Sequence, residues 1–366
     1  MISTVTNTVA RFRDPRRLAG IGIFVLGIVA FLLIAPPELV NNLDTMILSV
    51  GFATATIQSA VPLALAGIGG LYAEKSGVIN IGLEGLLIVG AFVSVAVPYA
   101  LGAPRGPLSP RLALWVGFFT AVISSTLLAW LFGVICIRYK ADQIIAGLAV
   151  WLLALGAAPF GAVVIFGSKN GGGVGIFNRI TIPGLAQIPV VGEILFHAYP
   201  TTYLMFILVP LAWWVLNRTP YGTWVKASGE HPEALDTAGV NVNRVRYSAV
   251  LLSGALSGIG GAAITLTSTG RFIGAGSTMV QGRGFIAIVT YLMGNYNPVG
   301  TFLAGILFAG VDALQYRAQQ VPEVSAAVPA DIVGIIPHIS VIIVLVFFGY
   351  TRIPARAGEH YEPGEE

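Results

Sequence analysis

Residues 74–85 read EKSGVINIGLEG, three charges, an asparagine and three glycines set between the apolar runs PLALAGIGGLYA and LLIVGAF. Everything else about the chain depends on what such a segment is doing there. The chain has 366 residues, of which 55% are hydrophobic and only 10% charged. A soluble domain carries about a quarter charged residues, so this composition excludes one. Apolar runs of about 20 residues recur instead, each long enough to cross about 30 Å of hydrocarbon as a helix. The reading is an all-α polytopic membrane protein in which 74–85 is an interruption at or below the membrane edge.

Run length places about ten membrane segments, some of them broken or short: 18–35, 46–72, 78–101, 111–137, 143–167, 201–217, 246–268, 283–295, 298–317 and 332–350. Pro62 is expected to kink the second. The eighth is too short to span unbroken unless residues from GAGSTMVQGR extend it. The domain organisation is a tail at 1–17, one transmembrane domain at 18–350 and a second tail at 351–366. RFRDPRRLAG ahead of the first run resembles a signal peptide. The run is long, though, and PPELVNN follows it in place of a small-residue cleavage site, so a retained span is expected.

Lysine and arginine set the orientation. With the N-terminus in the cytoplasm, that side receives Arg11, Arg13, Arg16, Arg17, Lys75, Arg138, Lys140, Arg218, Lys226, Arg244, Arg246, Arg352 and Arg356. The other receives Arg105, Arg111, Lys169, Arg179, Arg271, Arg283 and Arg317. The excess predicts both termini inside a cell membrane. The outer loop 168–200, rich in glycine and proline, is expected to lie against the membrane surface.

Several function classes fall away. The net charge of +3 is too small and too dispersed for a nucleic-acid partner. Cys136 is the single cysteine and sits in an apolar run, so it is read as packing. His197, His231, His338 and His360 are scattered without metal-ligand spacing. No nucleophile–base pair, phosphate-binding loop or cofactor motif is present, so no catalytic residue, metal or bound cofactor is assigned.

Three polar stretches remain. In 74–85, Glu74 and Lys75 mark a cytoplasmic end, Gly77 permits an unusual backbone, and Asn80, Gly82, Glu84 and Gly85 enter an apolar helix. Broken backbone at membrane depth is tolerated only where it is buried in protein or lines a cavity. Glu84 is then either a functional carboxylate or a structural group that caps a helix end or clamps a neighbouring loop near the cytoplasmic surface. The cytoplasmic loop 218–246, RTPYGTWVKASGEHPEALDTAGVNVNRVR, is the second stretch. Gly229 is expected to break the chain and Pro232 to start a short helix. Glu230 and Glu233 are placed at its positive end, Ala234, Leu235 and Ala238 on a weakly apolar face, and Gly239 at its stop. That design suits docking into a groove on another protein. A connector lying on lipid would be bulkier and more basic. In the third stretch a half-length span ends at Gly294 and Asn295, Pro298 opens the next helix, and Gly300, Ala304 and Gly305 favour close packing. Asp312 lies deep in that helix with Gln315 about a turn beyond, as a solute ligand, a proton site or a helix–helix hydrogen bond.

Together these stretches resemble the permease subunits of ABC importers, in the nucleoside and simple-sugar branch of the ribose/branched-chain amino acid permease superfamily. EKSGVINIGLEGLLIVGAF stands where the family carries a similar motif. PLALAGIGGLYAEKSG, ADQIIAGLAVWLLALG, GEHPEALDTAGVNVNRVRYSAVLLSGALSGIGGA and GRGFIAIVTYLMGNYNPVG also match in order, over roughly residues 46 to 350. The resemblance implies a permease for nucleosides or sugars that forms the path with a second, paralogous or identical permease. It implies an ABC ATP-binding protein that hydrolyses ATP in place of this chain, and an extracytoplasmic solute-binding protein. The candidate path residues are Asn80, Glu84, Trp151, Asn295, Asp312 and Gln315. Trp151 departs from the asparagine expected there, and a ring in that place would change specificity by stacking. ATPase coupling falls to Gly229, Glu230, Pro232, Glu233, Ala234, Ala238, Gly239 and Val240. The competing readings are an ion-coupled secondary transporter, with Glu84 and Asp312 as coupling carboxylates, and an intramembrane enzyme.

Overall fold

A computed structural model of the chain describes residues 49–103, 106, 109–274, 279–320, 322, 337–342 and 352–362. The helices are α1 (Val50–Lys75), α2 (Leu83–Ala100), α3 (Pro110–Gly133), α4 (Gln143–Phe166), α5 (Val191–Leu195) and α6 (Pro200–Arg218). They continue as α7 (Pro220–Glu230), α8 (Pro232–Thr237), α9 (Val242–Leu266), α10 (Arg283–Met293) and α11 (Pro298–Gln320). Among the described residues seven helices are long and apolar enough to cross a membrane, namely α1, α2, α3 with its π-helical extension, α4, α6, α9 and α11. The half-length α10 is the short eighth segment expected from the sequence. The expected spans 18–35 and, apart from 337–342, 332–350 lie outside the described residues.

The buried centre is α1, α2 and α9, with 56%, 67% and 72% of their apolar windows inside the molecule, against 22% for α4. Van der Waals packing holds such a bundle, because lipid is as apolar as the side chains, and small residues let backbones approach. The run GALSGIGGA in α9 does this. A Cβ at Gly261 would fall 2.5 Å from the Leu87 carbonyl oxygen of α2, and one at Gly258 2.8 Å from that of Ala121 in α3. The exposed apolar side chains of α4, among them Ile145, Leu152, Leu153, Phe160 and Val164, face outward.

One local reading changes. The helix expected from residue 78 begins at Leu83, because residues 76–82 are non-helical. Gly77 has φ +97°, and the Asn80 carboxamide accepts the Gly82 N–H at 3.0 Å, satisfying a backbone group the missing helix turn leaves free. Pro62 lies inside an uninterrupted α1. At the end of the bundle away from α8, four two-residue strands form two antiparallel ribbons: β1 (Asn170–Gly171) pairs with β4 (Phe272–Ile273), and β2 (Ile180–Thr181) with β3 (His197–Ala198).

Candidate functional site

The segment 74–85 is organised around α10. Glu74, at the end of α1, accepts hydrogen bonds from Tyr291 Oη at 2.5 Å and Tyr296 Oη at 2.6 Å. Lys75 Nζ stands 5.5 Å from the centre of the Tyr296 ring. Glu84, at the start of α2, accepts the Gly282 N–H on Oε1 at 2.9 Å and the Gly284 N–H on Oε2 at 2.6 Å. Its two oxygens therefore satisfy two of the free N–H groups that open α10, at the positive end of the helix dipole. The two glutamates that frame the segment hold α10 at both ends. Gly284 must be glycine for this, since a Cβ there would meet the Glu84 nitrogen at 2.3 Å. Glu84 is the helix-end clamp foreseen as one alternative, but it acts more than two helical turns along α10 from Glu74. At about 1.5 Å per residue that is ~12 Å away from the charged edge.

Above Glu84 opens a cavity of about 670 Å³, walled by Gln58 and Pro62 of α1, Thr267 after α9, Gln281 and Arg283 at the head of α10, and Tyr316 of α11. Arg283 Nη2 pairs with Asp312 Oδ2 at 2.7 Å, and Arg283 Nη1 donates to the Met279 carbonyl at 3.0 Å. Tyr316 Oη donates to Gln281 Oε1 at 2.6 Å, and Gln58 Nε2 donates to the Thr267 carbonyl at 2.9 Å. Gln281 and Gly282 both have positive φ, 53° and 78°, which turns the chain sharply into α10. The result is a largely apolar wall, with Ala263, Ile264, Ile273 and Met279, that also carries a few amides and hydroxyls and an arginine neutralised by its neighbour. Such a wall can bind an uncharged polar solute through hydrogen bonds without offering net charge.

At the other end lies the polar loop. Gly229 does not break the chain as expected; it is inside α7, which runs through Glu230, and the break falls at His231 with φ −145°. The physical reason is contact: Gly229 lies so close to α1 that a Cβ would fall 2.3 Å from the Lys75 carbonyl oxygen. Glu230 consequently closes α7, while Pro232 and Glu233 open α8, and Gly239 (φ +82°) ends it. Pro232 and Leu235 are buried, whereas Glu233, Ala234, Ala238 and Gly239 are exposed and Val240 is half-buried. Beside α8, Tyr361 donates to Asp236 at 2.8 Å. Its hydroxyl is pushed up to about 12 by loss of water and then by that carboxylate. Burial lowers the Lys226 pKa.

The sequence candidates therefore divide. Glu84 and Asp312 meet at the head of α10. Asn80 is buried below, where its Nδ2 donates to Ser253 Oγ at 3.0 Å. Trp151 packs edge-on against Phe285 at 5.2 Å, next to the Glu84 clamp but outside the cavity wall. Gln315 is half-buried on α11 and is not part of that wall. Asn295 is exposed in the α10–α11 turn, accepting the Arg352 N–H at 3.3 Å, far from the cavity. Arg283, Gln58 and Thr267 are not site candidates by sequence, and Glu74 is read there only as marking the cytoplasmic end. For Arg283 a signal existed. It stands ~17 Å before the hairpin turn and Asp312 ~21 Å after it, counting helix rise, so the two come level when the helices fold back. Among the described residues no cluster of histidine, cysteine or carboxylate side chains is placed to hold a metal.

No solved structure matches the chain. It is 34% identical over 314 residues to the guanosine ABC transporter permease protein NupQ of Bacillus subtilis, covering 85% of this chain and 96% of that protein. It is 32% identical to the nucleoside ABC transporter permease protein NupC of Lactococcus lactis, covering 82% and 93%. To the glucose ABC transporter permease protein TsgB13 of Haloferax volcanii it is 30% identical, covering 82% and 78%. Residues 52–345 match the family described as branched-chain amino acid transport system / permease component, and the chain, a multi-pass membrane protein, belongs to that family of ABC transporter permeases.

Proposed function

We propose that the chain is the path-forming permease subunit of an ATP-driven nucleoside importer, working with a second permease, an ABC ATP-binding protein and an extracytoplasmic solute-binding protein. The observation that carries this is the identity to guanosine and nucleoside permeases over more than four-fifths of the chain. The cavity supports it: about 670 Å³ lies within the range of small-molecule sites, and its wall carries amides and hydroxyls beside a neutralised arginine. That suits an uncharged nucleoside better than a nucleotide. Solute passes the head of α10, with Glu84, Asp312 and Arg283 shaping the passage. The ATPase binds the exposed face of α8, and both termini lie in the cytoplasm.

The test is uptake of radiolabelled guanosine into vesicles holding the assembled complex, with ATP and a proton gradient supplied separately. Uptake that needs ATP and is indifferent to the gradient is expected. Uptake driven by the gradient alone would overturn the assignment in favour of a secondary transporter. A sugar reading is favoured by the glucose permease among the relatives; ATP-dependent uptake of radiolabelled glucose, with no uptake of guanosine, selects it.

A further inference from the structure

Four stretches of chain converge beneath the break at Gly77. Ser228 Oγ donates to the Ser76 carbonyl at 2.8 Å, the Arg356 N–H to the Gly229 carbonyl at 2.9 Å, and the Gly358 N–H to the Gly77 carbonyl at 3.0 Å. Arg246 runs through the middle, 3% exposed, with Nη1 donating to the Glu359 carbonyl at 2.8 Å. It lies so close that a Cβ on Gly77 would fall 2.8 Å from its Nη2. The stretch 356–358 is thus bonded at once to the helix that leads into α8 and to the broken backbone that leads into α2. Residues 355–361 also hold α8 and the end of α7 from outside. Arg356 pairs with Glu233 at 3.5 Å, Tyr361 bonds Asp236, and the Ala355 N–H reaches Glu230 Oε2 at 3.4 Å. Exposed ion pairs contribute little. The backbone bonds to Gly77 and Gly229 are the stronger constraint, because they fix chain to chain.

The break leads somewhere specific. From Gly77 the backbone rises through Asn80, held to Ser253 of α9, and Gly82 to Glu84, whose carboxylate grips the first turn of α10 beneath the cavity. A displacement of α8 therefore has a bonded route to Arg283.

We propose that residues 354–361 are a fastener that ties α8 to the Gly77 break, so that movement imposed on α8 by the ATPase is delivered through Glu84 to the solute passage. This rests on the reading of α8 as the ATPase contact. The residues of the fastener are positioning residues, and they touch no solute.

Two experiments on the assembled complex test it. A stop codon at Arg352 should leave insertion, and cross-linking of Ala234→Cys to the ATP-binding subunit, intact. Solute moved per ATP hydrolysed should fall several-fold; an unchanged ratio overturns the proposal. In the second, Asp236→Cys and Tyr361→Cys are bridged by a short bis-methanethiosulfonate reagent, cleavable by reductant; the native Cys136 is buried. Uptake that persists with the bridge in place supports a fastener that stays closed during transport. Uptake lost on bridging and regained on reduction overturns it, because the segment would then be a latch that must open. Failure of Ala234→Cys to reach the ATP-binding subunit in the intact chain tells against the docking assignment itself, whatever the truncation does.

Discussion

Asp312 and Arg283 matter as a pair. The pair is largely withdrawn from water, with side chains 11% and 14% exposed; removing one partner leaves a poorly compensated charge and costs up to about 3–5 kcal/mol, whereas replacing both with apolar groups is often neutral. Asp312→Asn is therefore more damaging than a neutral change at a lone carboxylate would be. It should lower the melting temperature of the purified protein more than the double replacement Arg283→Met with Asp312→Leu, and a thermal-shift series measures this. Glu84→Gln keeps the shape but has one acceptor for two glycine N–H groups, so one of them is left unmet, at about 1–3 kcal/mol. Guanosine uptake should fall several-fold and still depend on ATP. Loss of ATP dependence in this variant would contradict the clamp role. Neither prediction follows from the sequence alone, which offers two acidic residues in apolar runs and no statement of what faces them.

Among the elements, α7 and α8 show how two glycines ten residues apart differ. Gly229 is needed for space: the Lys75 carbonyl leaves no room for a methyl group. Gly239 is needed only for its backbone angle, and a Cβ there would meet open space. An L-residue in that conformation costs about 1–2 kcal/mol locally. Gly229→Ala should abolish uptake or block assembly, while Gly239→Ala keeps most of it; uptake at equal membrane expression decides. The sequence made the opposite assignment for Gly229, reading it as a helix breaker. Glycine is both a breaker and the smallest packing residue, and only a neighbour across space distinguishes the two. Pro232 and Gly239 were legible because their effect is local: one fixes φ at a first turn, the other tolerates positive φ at the stop. The half-length α10 was legible for the same reason, since Gly282 and the Gly294–Pro298 turn bound it in sequence.

For the whole molecule, residues 352–362 lie against α7 and α8 and so share their side, and the excess of lysine and arginine predicts that this side is cytoplasmic. A reporter that matures only in the cytoplasm, fused after Glu366, should be active; activity solely from a periplasmic reporter would reverse the topology. Hydrophobic run length determined the class and which of the described segments are long enough to cross, because a bilayer penalises every unpaired backbone group and so writes its thickness into the chain. Local turn chemistry determined where α8 begins and ends. What only the tertiary structure decided is which polar groups meet: Glu84 with the head of α10, Asp312 with Arg283, and the C-terminal segment with Gly77 and Gly229. Those partners stand 29 to 281 residues apart in the chain. A hydrogen bond needs its groups within about 3 Å, and no periodicity or propensity in a single sequence encodes that separation.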